Sequence, residues 1–259
     1  MAVIIKRGRE KPILNQHPWI FSGAIQRVDG DPQPGDILDV FDQDGVFLAQ
    51  GYWNPASQIR VRILTWYDEP IDDSWWERML KRAVDHRVMR NIIAQEKAIG
   101  YRLVNAENDY LPGLIVDRYG DWLVLQALTM GIDKRKTMIA EKIAGILDGI
   151  KGIYERSDVD VREREGLEMV TGVLWGEPPP EKITIHETPV KLNVDVYNGH
   201  KTGFYLDQAD NRRLLHDLLT EDFEGECRPL NLFSYTGGFA LHAAQTGGDA
   251  SAKRGGWAC

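Results

Sequence analysis

The stretch from Pro229 to Phe239 does most to limit what this chain can fold into. It reads Pro229-Leu230-Asn231-Leu232-Phe233, an apolar run suited to a buried strand, and opens at once into Ser234-Tyr235-Thr236-Gly237-Gly238-Phe239. A strand that ends in small residues and turns straight into a helix is how α/β folds bring a ligand against bare backbone. Gly237 and Gly238 permit torsions and close approach that a side chain would block. A helix starting near Phe239 turns free N–H groups and its positive dipole end toward the loop. That arrangement suits an anionic group, and both a pyrophosphate and a methionine carboxylate qualify. The full G-x-G-x-x-G spacing is absent, which weakens the dinucleotide reading. A plain β–α turn that binds nothing fits the glycines equally well.

Upstream of that turn, Thr188 to Val196 alternates Val190, Leu192, Val194 and Val196, the pattern of a half-buried strand. A polar turn follows from Asn198 to Gln208. It leads into a helix over Asp207 to Phe223 with Leu214, Leu215, Leu218 and Leu219 on its apolar side.

The front of the chain reads as β structure. Val3 to Ile5, Ile37 to Phe41, Val46 to Tyr52 and Ile59 to Leu64 are strand runs, and Asp42-Gln43-Asp44-Gly45 has hairpin turn chemistry. Arg60 and Arg62 alternate with apolar neighbours, so one face of that strand is expected to be buried and the other wet. Short strands spaced closely by Gly and Pro predict a small barrel ending near Tyr67. From Asp72 to Ile93 the apolar period becomes helical, with Asp72, Asp73 or Ser74 available as N-cap and Trp75 and Trp76 as packing anchors. Strands return at Tyr101–Val104, Gly113–Asp117 and Trp122–Gln126. A helix over Ile132 to Leu147 follows, then strands at Gly152–Arg156 and Thr171–Trp175, and Pro178-Pro179-Pro180 marks a boundary. The expected fold class is therefore multi-domain α/β and α+β. Its parts are a barrel over 1–68, a linking helix over 72–98, an α+β unit over 99–180 and the start of a doubly wound unit over 183–259.

Composition narrows the function classes. Hydrophobic residues make up 43% and charged residues 27%, which is ordinary for a soluble globular protein. No run approaches the roughly 18 apolar residues of a membrane span, so no membrane partner is expected. Met1 to Arg9 lacks the pattern of a secretory signal. With only Cys227 and Cys259, a disulfide framework is not plausible and a cytoplasmic location is expected. No Cys/His spacing resembles a zinc site, so no metal is expected. The net charge is −8, yet residues 1–30 set Lys6, Arg7, Arg9, Lys11 and Arg27 against only Glu10 and Asp29. Such a patch can grip a phosphate backbone locally, because charge acts within a Debye length.

Read together, His200-Lys201-Thr202-Gly203-Phe204-Tyr205-Leu206-Asp207-Gln208 and Leu230 to Phe239 resemble the paired S-adenosylmethionine motifs of the RlmI-like large-subunit ribosomal RNA methyltransferases. Arg7-Gly8-Arg9-Glu10, His17 to Ile25 and Asn54 to Arg62 are similar to that family's N-terminal PUA RNA-binding domain. Leu111 to Gly120 and Tyr154 to Asp158 are similar to its central domain. The resemblance implies a PUA-like β-barrel, a central α+β domain and a Rossmann-like class I methyltransferase domain. It implies that Thr202, Gly203, Phe204, Asp207 and Gln208 wall the cofactor, with Phe204 an apolar contact and Asp207 and Gln208 polar partners. Asn231, Phe233, Ser234, Tyr235, Thr236, Gly237, Gly238 and Phe239 would form the loop beneath its methionine end. Arg7, Arg9, His17, Trp19 and Arg60 would face RNA, Trp19 being equally suited to a core and Asp207 to a helix N-cap. Ribosomal RNA is the expected partner, pairing of two copies is a further expectation, and the implied activity is methyl transfer, some relatives making 5-methylcytosine.

The resemblance fails after Gly247. The family continues into a second strand ending in an acid that holds the ribose, roughly 20 residues past the glycine loop in related folds. Here Gly248 to Cys259 is rich in Gly, Ala and basic residues, with no apolar strand expected and the Leu230 strand left with an unpaired edge. Methylation at cytosine C5 needs a thiolate adding to C6. Neither Cys227 nor Cys259 occupies the position the family implies for it. The expectation is a truncated chain with no assignable catalytic residue and negligible activity, and the alternative function is a non-catalytic RNA-binding fragment. A nicotinamide-dependent oxidoreductase fits the glycine turn poorly.

Overall fold

The computed structural model describes residues 1–89, 100–221, 229–232 and 234–246, with the backbone of 251–252. Cys227, Phe233 and Cys259 lie outside the described residues.

β1 (Ala2–Ile5), α1 (Lys11–Leu14), β2 (Trp19–Phe21), β3 (Ile25–Asp29), β4 (Ile37–Phe41), β5 (Phe47–Trp53) and β6 (Ile59–Thr65) make the first unit. Its six strands run in the order β2-β6-β5-β4-β1-β3, with β1 parallel to β4 and the other neighbours antiparallel. Alternate residues Val3, Ile5, Leu38, Val40, Val61 and Ile63 point into one apolar core. Gly51 is required at the β5–β6 crossing, where a Cβ would stand 2.3 Å from the Arg62 carbonyl oxygen. Sequence reading missed α1, β2 and β3, which are short and lack a clear apolar alternation.

Asp72 caps α2 (Asp73–Met89), its Oδ1 accepting from the N–H groups of Ser74 at 2.9 Å and Trp75 at 3.0 Å. α2 buries Trp75, Trp76, Met79, Leu80, Ala83 and Val84 against the second sheet. That sheet comprises β7 (Gly100–Asn105), β8 (Leu114–Tyr119), β9 (Trp122–Ala127), β10 (Gly152–Ser157) and β11 (Val170–Gly176), in the order β11-β10-β9-β8-β7. β9 and β10 are parallel, and the crossover between them carries α3 (Met130–Asp133) and α4 (Lys136–Ile146). The single helix expected over Ile132 to Leu147 is thus two. Arg135 stands at the break, its Nη1 donating to the carbonyls of Gly35 and Gly131 at 2.9 Å each.

The opposite face of β8 and β9 packs Tyr119 and Val124 against a hairpin of β12 (Ile183–Glu187) and β13 (Val190–Val194). The strand expected over Thr188 to Val196 is therefore the return half of a hairpin. α5 (Ala209–Glu221), β14 (Leu230–Asn231), α6 (Gly238–Ala244) and β15 (Ser251–Ala252) follow. α5 does not bury its leucine side as expected. Arg212 and Leu219 are its buried residues, while Leu214 and Leu218 face outward, because α6 and the Glu187 carboxylate meet the Arg212 face. The expectation of a strandless tail and an unpaired Leu230 strand is also corrected: β14 pairs in parallel with β15. Backbone pairing needs no apolar side chains, so a Gly/Ala-rich segment can supply it.

Candidate functional site

The two motifs meet where the loop after β13 touches the glycine turn before α6. Asp195 opens the loop, its Oδ1 accepting from the N–H groups of Tyr197 and Asn198 at 2.9 Å each. Burial works against its charge, but those donors hold Asp195 below the usual carboxylate range. Arg156 on β10 reaches across to the carbonyls of Val196 at 2.6 Å and Gly199 at 3.2 Å. Thr202 is fully buried, its Oγ1 donating to Asp117 at 2.6 Å and lying 2.8 Å from the Tyr119 hydroxyl. Asp117 is in turn held by Arg102 through bonds of 2.8 and 3.0 Å. The Thr202 side chain is thus committed to the five-stranded sheet and anchors the loop. Gly203 follows at φ +131°, where a Cβ would press on Val194 and Asp195.

Tyr235 closes the contact from the glycine turn. It holds the left-handed conformation at φ +48°, and its hydroxyl accepts from the His200 N–H at 2.8 Å and donates to the Gly203 carbonyl at 3.3 Å. Partial burial raises the Tyr235 phenol above its ordinary range, so it keeps the proton that the second bond needs. Its ring stacks on His200 at 4.6 Å with an interplanar angle of 21°, and Tyr205 meets it edge-on at 5.4 Å. The Tyr205 hydroxyl lies 3.1 Å from His200 Nδ1. Lys201 stands over the Tyr205 ring and bonds Asp207 at 2.8 Å, and that bond lowers the Asp207 carboxyl. Gln208 accepts from Asn211 at 2.9 Å. Ser234 accepts the Gly237 N–H at 2.7 Å, and Thr236 is exposed.

Beneath the turn is a cluster that sequence reading missed. Arg212 is buried between Phe204 and Phe239, its guanidinium carbon 4.6 and 6.0 Å from their ring centres. It bonds both oxygens of Glu187 at 2.5 and 2.6 Å, and the Tyr205 carbonyl at 3.1 Å. His242, fully buried on α6, brings Nε2 to 2.9 Å from Glu187 Oε1, short but poorly directed for a hydrogen bond, while its Nδ1 has no partner. Burial alone would raise the Glu187 carboxyl, yet Arg212 and His242 overcome it and hold the group at about 2. Gly238 lies directly on this cluster, where a Cβ would stand 3.1 Å from Arg212 Cδ. Only the Glu187–Arg212 charge match, 25 residues apart, could have signalled it, and sequence spacing does not predict such a pairing.

Two features leave room for a ligand. Gly237 is left-handed with open space where a Cβ would stand, and the buried Asn231 Nδ2 has no partner. Among the described residues no cluster of three or more His, Cys, Asp or Glu side chains suits a metal. No helix among them is long and apolar enough to cross a membrane.

On the first unit, Arg9 and His17 are exposed, Arg7 is exposed and 3.5 Å from Asp44, and Arg60 is half-buried on β6. Trp19 is half-buried and donates Nε1–H to Glu107 at 2.8 Å, which ties it to the second unit. The wet face expected of β6 is corrected at Arg62. That side chain is buried, with Nη2 2.8 Å from Glu165 and Nη1 3.5 Å from Glu107, because this face of β6 packs on the second unit.

A family model described as a PUA-like domain matches residues 3–66. Two solved structures share the fold over 98% of this chain and 62% of their own. One is described as a SAM-dependent methyltransferase from Streptococcus mutans, with TM-score 0.78 and 22% identity. The other is a methyltransferase complexed with SAH, with TM-score 0.80 and 21% identity. The class is thus a multi-domain α/β and α+β protein of methyltransferase fold with an N-terminal PUA-like domain. Among curated relatives, the ribosomal RNA large subunit methyltransferase I of Aeromonas salmonicida is 44% identical over 246 residues, covering 95% of this chain and 60% of the relative. Those of Aeromonas hydrophila and Aliivibrio fischeri are 45% and 42% identical, again over 95% of this chain. Over the length it shares, the chain is similar to the ribosomal RNA large subunit methyltransferase I proteins. It spans about three fifths of the length of these relatives, 60–61%.

Proposed function

We propose that this chain carries the RNA-facing and cofactor-receiving parts of a cytoplasmic, S-adenosylmethionine-dependent methyltransferase acting on large-subunit ribosomal RNA. Cytosine C5 is the target position that the resemblance favours. The observation that carries the reading is the Tyr235 hydroxyl, which joins the His200–Gly203 loop to the glycine turn. Two motifs about thirty residues apart in sequence thereby form one wall, 35 residues separating His200 from Tyr235. The residues fit the cofactor. Bare backbone at Gly237 admits close approach, and the Asn231 amide offers an unsatisfied donor to a ligand acceptor. Phe204 and Phe239, stiffened by Arg212, supply apolar support behind that wall. Bound there, S-adenosylmethionine would supply an activated methyl group. The parts assigned to the reading are a PUA-like domain over 1–68, a linking helix over 72–98, a central domain over 99–180 and a cofactor domain over 183–259.

A second reading, RNA binding without methyl transfer, is supported by the separate apolar cores of the first two sheets. Calorimetry separates the two. Under the first reading the chain binds S-adenosylhomocysteine, and Tyr235→Phe weakens binding roughly 3- to 30-fold, the worth of one or two neutral hydrogen bonds. RNA retention with no binding of S-adenosylhomocysteine would leave only the second reading. Labelled methyl transfer to unmodified large-subunit RNA reads the base, and label on any atom but cytosine C5 overturns that assignment.

A further inference from the structure

A groove between α2, the Ala106–Asp109 turn and the first unit has the chemistry of a nucleotide track. Two cavities of about 530 and 240 Å³ adjoin there and share Asn108 and Tyr110. Tyr110 closes the short helical turn Ala106–Asp109 in the left-handed conformation, at φ +60°. A bulky side chain rarely adopts that backbone. The turn thrusts the ring outward, and its surroundings hold it there. The Arg82 guanidinium lies 4.6 Å over one face and Trp66 meets the ring edge-on at 6.3 Å. Gln16, also left-handed at φ +60°, stands at the far end on the first unit.

The charges are arranged for a polyanion. Arg78 and Arg82 lie one turn apart on the exposed side of α2, with Lys81 between them. Arg78 is paired with Glu69 at 2.6 Å and Lys81 with Asp85 at 3.4 Å, and both cations are largely exposed. Such pairs contribute little and exchange readily for a phosphate. Arg82 has no carboxylate partner among the described residues, and its flat face is presented on the tyrosine instead. Of the carboxylates lining the two cavities, Asp109 is taken by the buried Arg87 at 2.6 and 2.8 Å, Glu107 by Trp19 at 2.8 Å and Arg62 at 3.5 Å, and Asp85 by Lys81. Asn108 and Gln16 are exposed, and neither side-chain amide has a hydrogen-bond partner among the described residues.

We infer that this groove, from Arg82 over Tyr110 and Asn108 to Gln16, binds single-stranded RNA. A base stacks on the Arg82–Tyr110 pair, phosphates meet Arg78 and Lys81, and the two amides face base edges. Guanidinium planes and aromatic rings are what proteins use for unstacked bases, while cations follow the backbone. Neither Arg9 nor Arg60 lines the groove, though it adjoins His17 and Trp19 through Gln16, Pro18 and Glu107, and one wall belongs to the same PUA-like unit. The inference rests on the RNA reading proposed above and extends it to a second contact.

The test is fluorescence anisotropy of a labelled twelve-nucleotide single-stranded RNA with the whole chain across a salt series. Arg82→Ala should weaken binding roughly 5- to 100-fold, in the range of one lost stacked base. The salt slope should fall by about 0.7, one phosphate contact on a single strand, in Arg78→Ala and again in Lys81→Ala. Arg82→Lys keeps the charge but lacks the planar face, so it should also lose affinity, with the slope unchanged. Tyr110→Asn removes the ring while tolerating the left-handed backbone, so it separates lost stacking from lost folding. It should weaken binding with the slope unchanged. An Arg9→Ala, Arg60→Ala double variant distinguishes the two surfaces. If it abolishes binding while every α2 and Tyr110 variant binds as the parent does, the groove falls and the RNA reading stands. If the parent chain binds no RNA, both fall. Displacement of the RNA by an acidic peptide at equal concentration would overturn the assignment to RNA.

Discussion

The seam between the first two units and the region around the glycine turn hold together by opposite means. At the seam, polar groups are drawn inside and largely matched, with Arg62 Nε the exception. Glu165 alone accepts from Asn54 at 2.9 Å, Ser57 at 2.7 Å and Arg62 at 2.8 Å, and is almost fully buried. Nearby, Tyr52 inserts between the units, its hydroxyl bonding the Pro112 carbonyl and standing 2.8 Å from Thr129 Oγ1. Around the turn, Leu214, Leu218, Leu230, Leu232 and Leu241 face outward, while Asn231 Nδ2 and His242 Nδ1 are buried without partners. Buried polar groups elsewhere in proteins are nearly always satisfied. The contrast teaches that the seam is held by many matched polar contacts, whereas the turn region leans on two devices, the Tyr235 contacts and the charged cluster of Glu187 with Arg212 and His242.

The largest expected effect tests the seam. Glu165→Ala leaves Arg62 buried with a lost partner, and breaking a buried ion pair in this way costs about 3–5 kcal/mol. Urea unfolding measures it, and a loss below about 1 kcal/mol would remove the distinction between the regions. A smaller effect, on the order of 3 kcal/mol, is expected at Glu187, whose carboxyl moves from 4.5 to about 2 on folding. Because the folded value is depressed, that stability is complete above pH 4.5 and is lost as pH falls toward 2. Glu187→Gln should flatten the acid limb of the stability profile over that window. An unchanged limb would mean that the cluster does not hold the turn. The smallest effect belongs to the exposed leucines: Leu214→Glu should shift stability by no more than about 0.5 kcal/mol. A loss of 2 kcal/mol or more in the same unfolding measurement would show that this face is covered in solution.

Much of this architecture was legible because periodicity reports local burial. The alternation of Ile37–Phe41 and the helical stripe of Trp75, Met79, Ala83 and Val84 appear as the elements their spacing predicts. The glycine turn was legible too, since Gly237 does take the left-handed backbone that only such a residue adopts freely. What escaped depends on distant partners. Arg62 looks like a surface cation on an alternating strand until Glu165, 103 residues later, arrives beside it. Leu214 and Leu218 looked buried because a leucine stripe marks an apolar face, yet Arg212 takes the inner side through its bond to Glu187. Thr202 stands in the expected cofactor wall, and the bond of its hydroxyl to Asp117, 85 residues earlier, is what the sequence did not announce. No local pattern carries information of that kind.

The Thr202–Asp117 bond has one more implication. It rivets the loop to the same five-stranded sheet that Glu165 and Glu107 clamp onto the PUA-like unit. On the proposed function, the hand that grips RNA and the pocket that offers a methyl group are fixed to the two ends of one ruler. The nucleotide to be modified would then be chosen partly by reach, as a caliper chooses by its span, and loosening either rivet should blur where on the RNA the methyl lands.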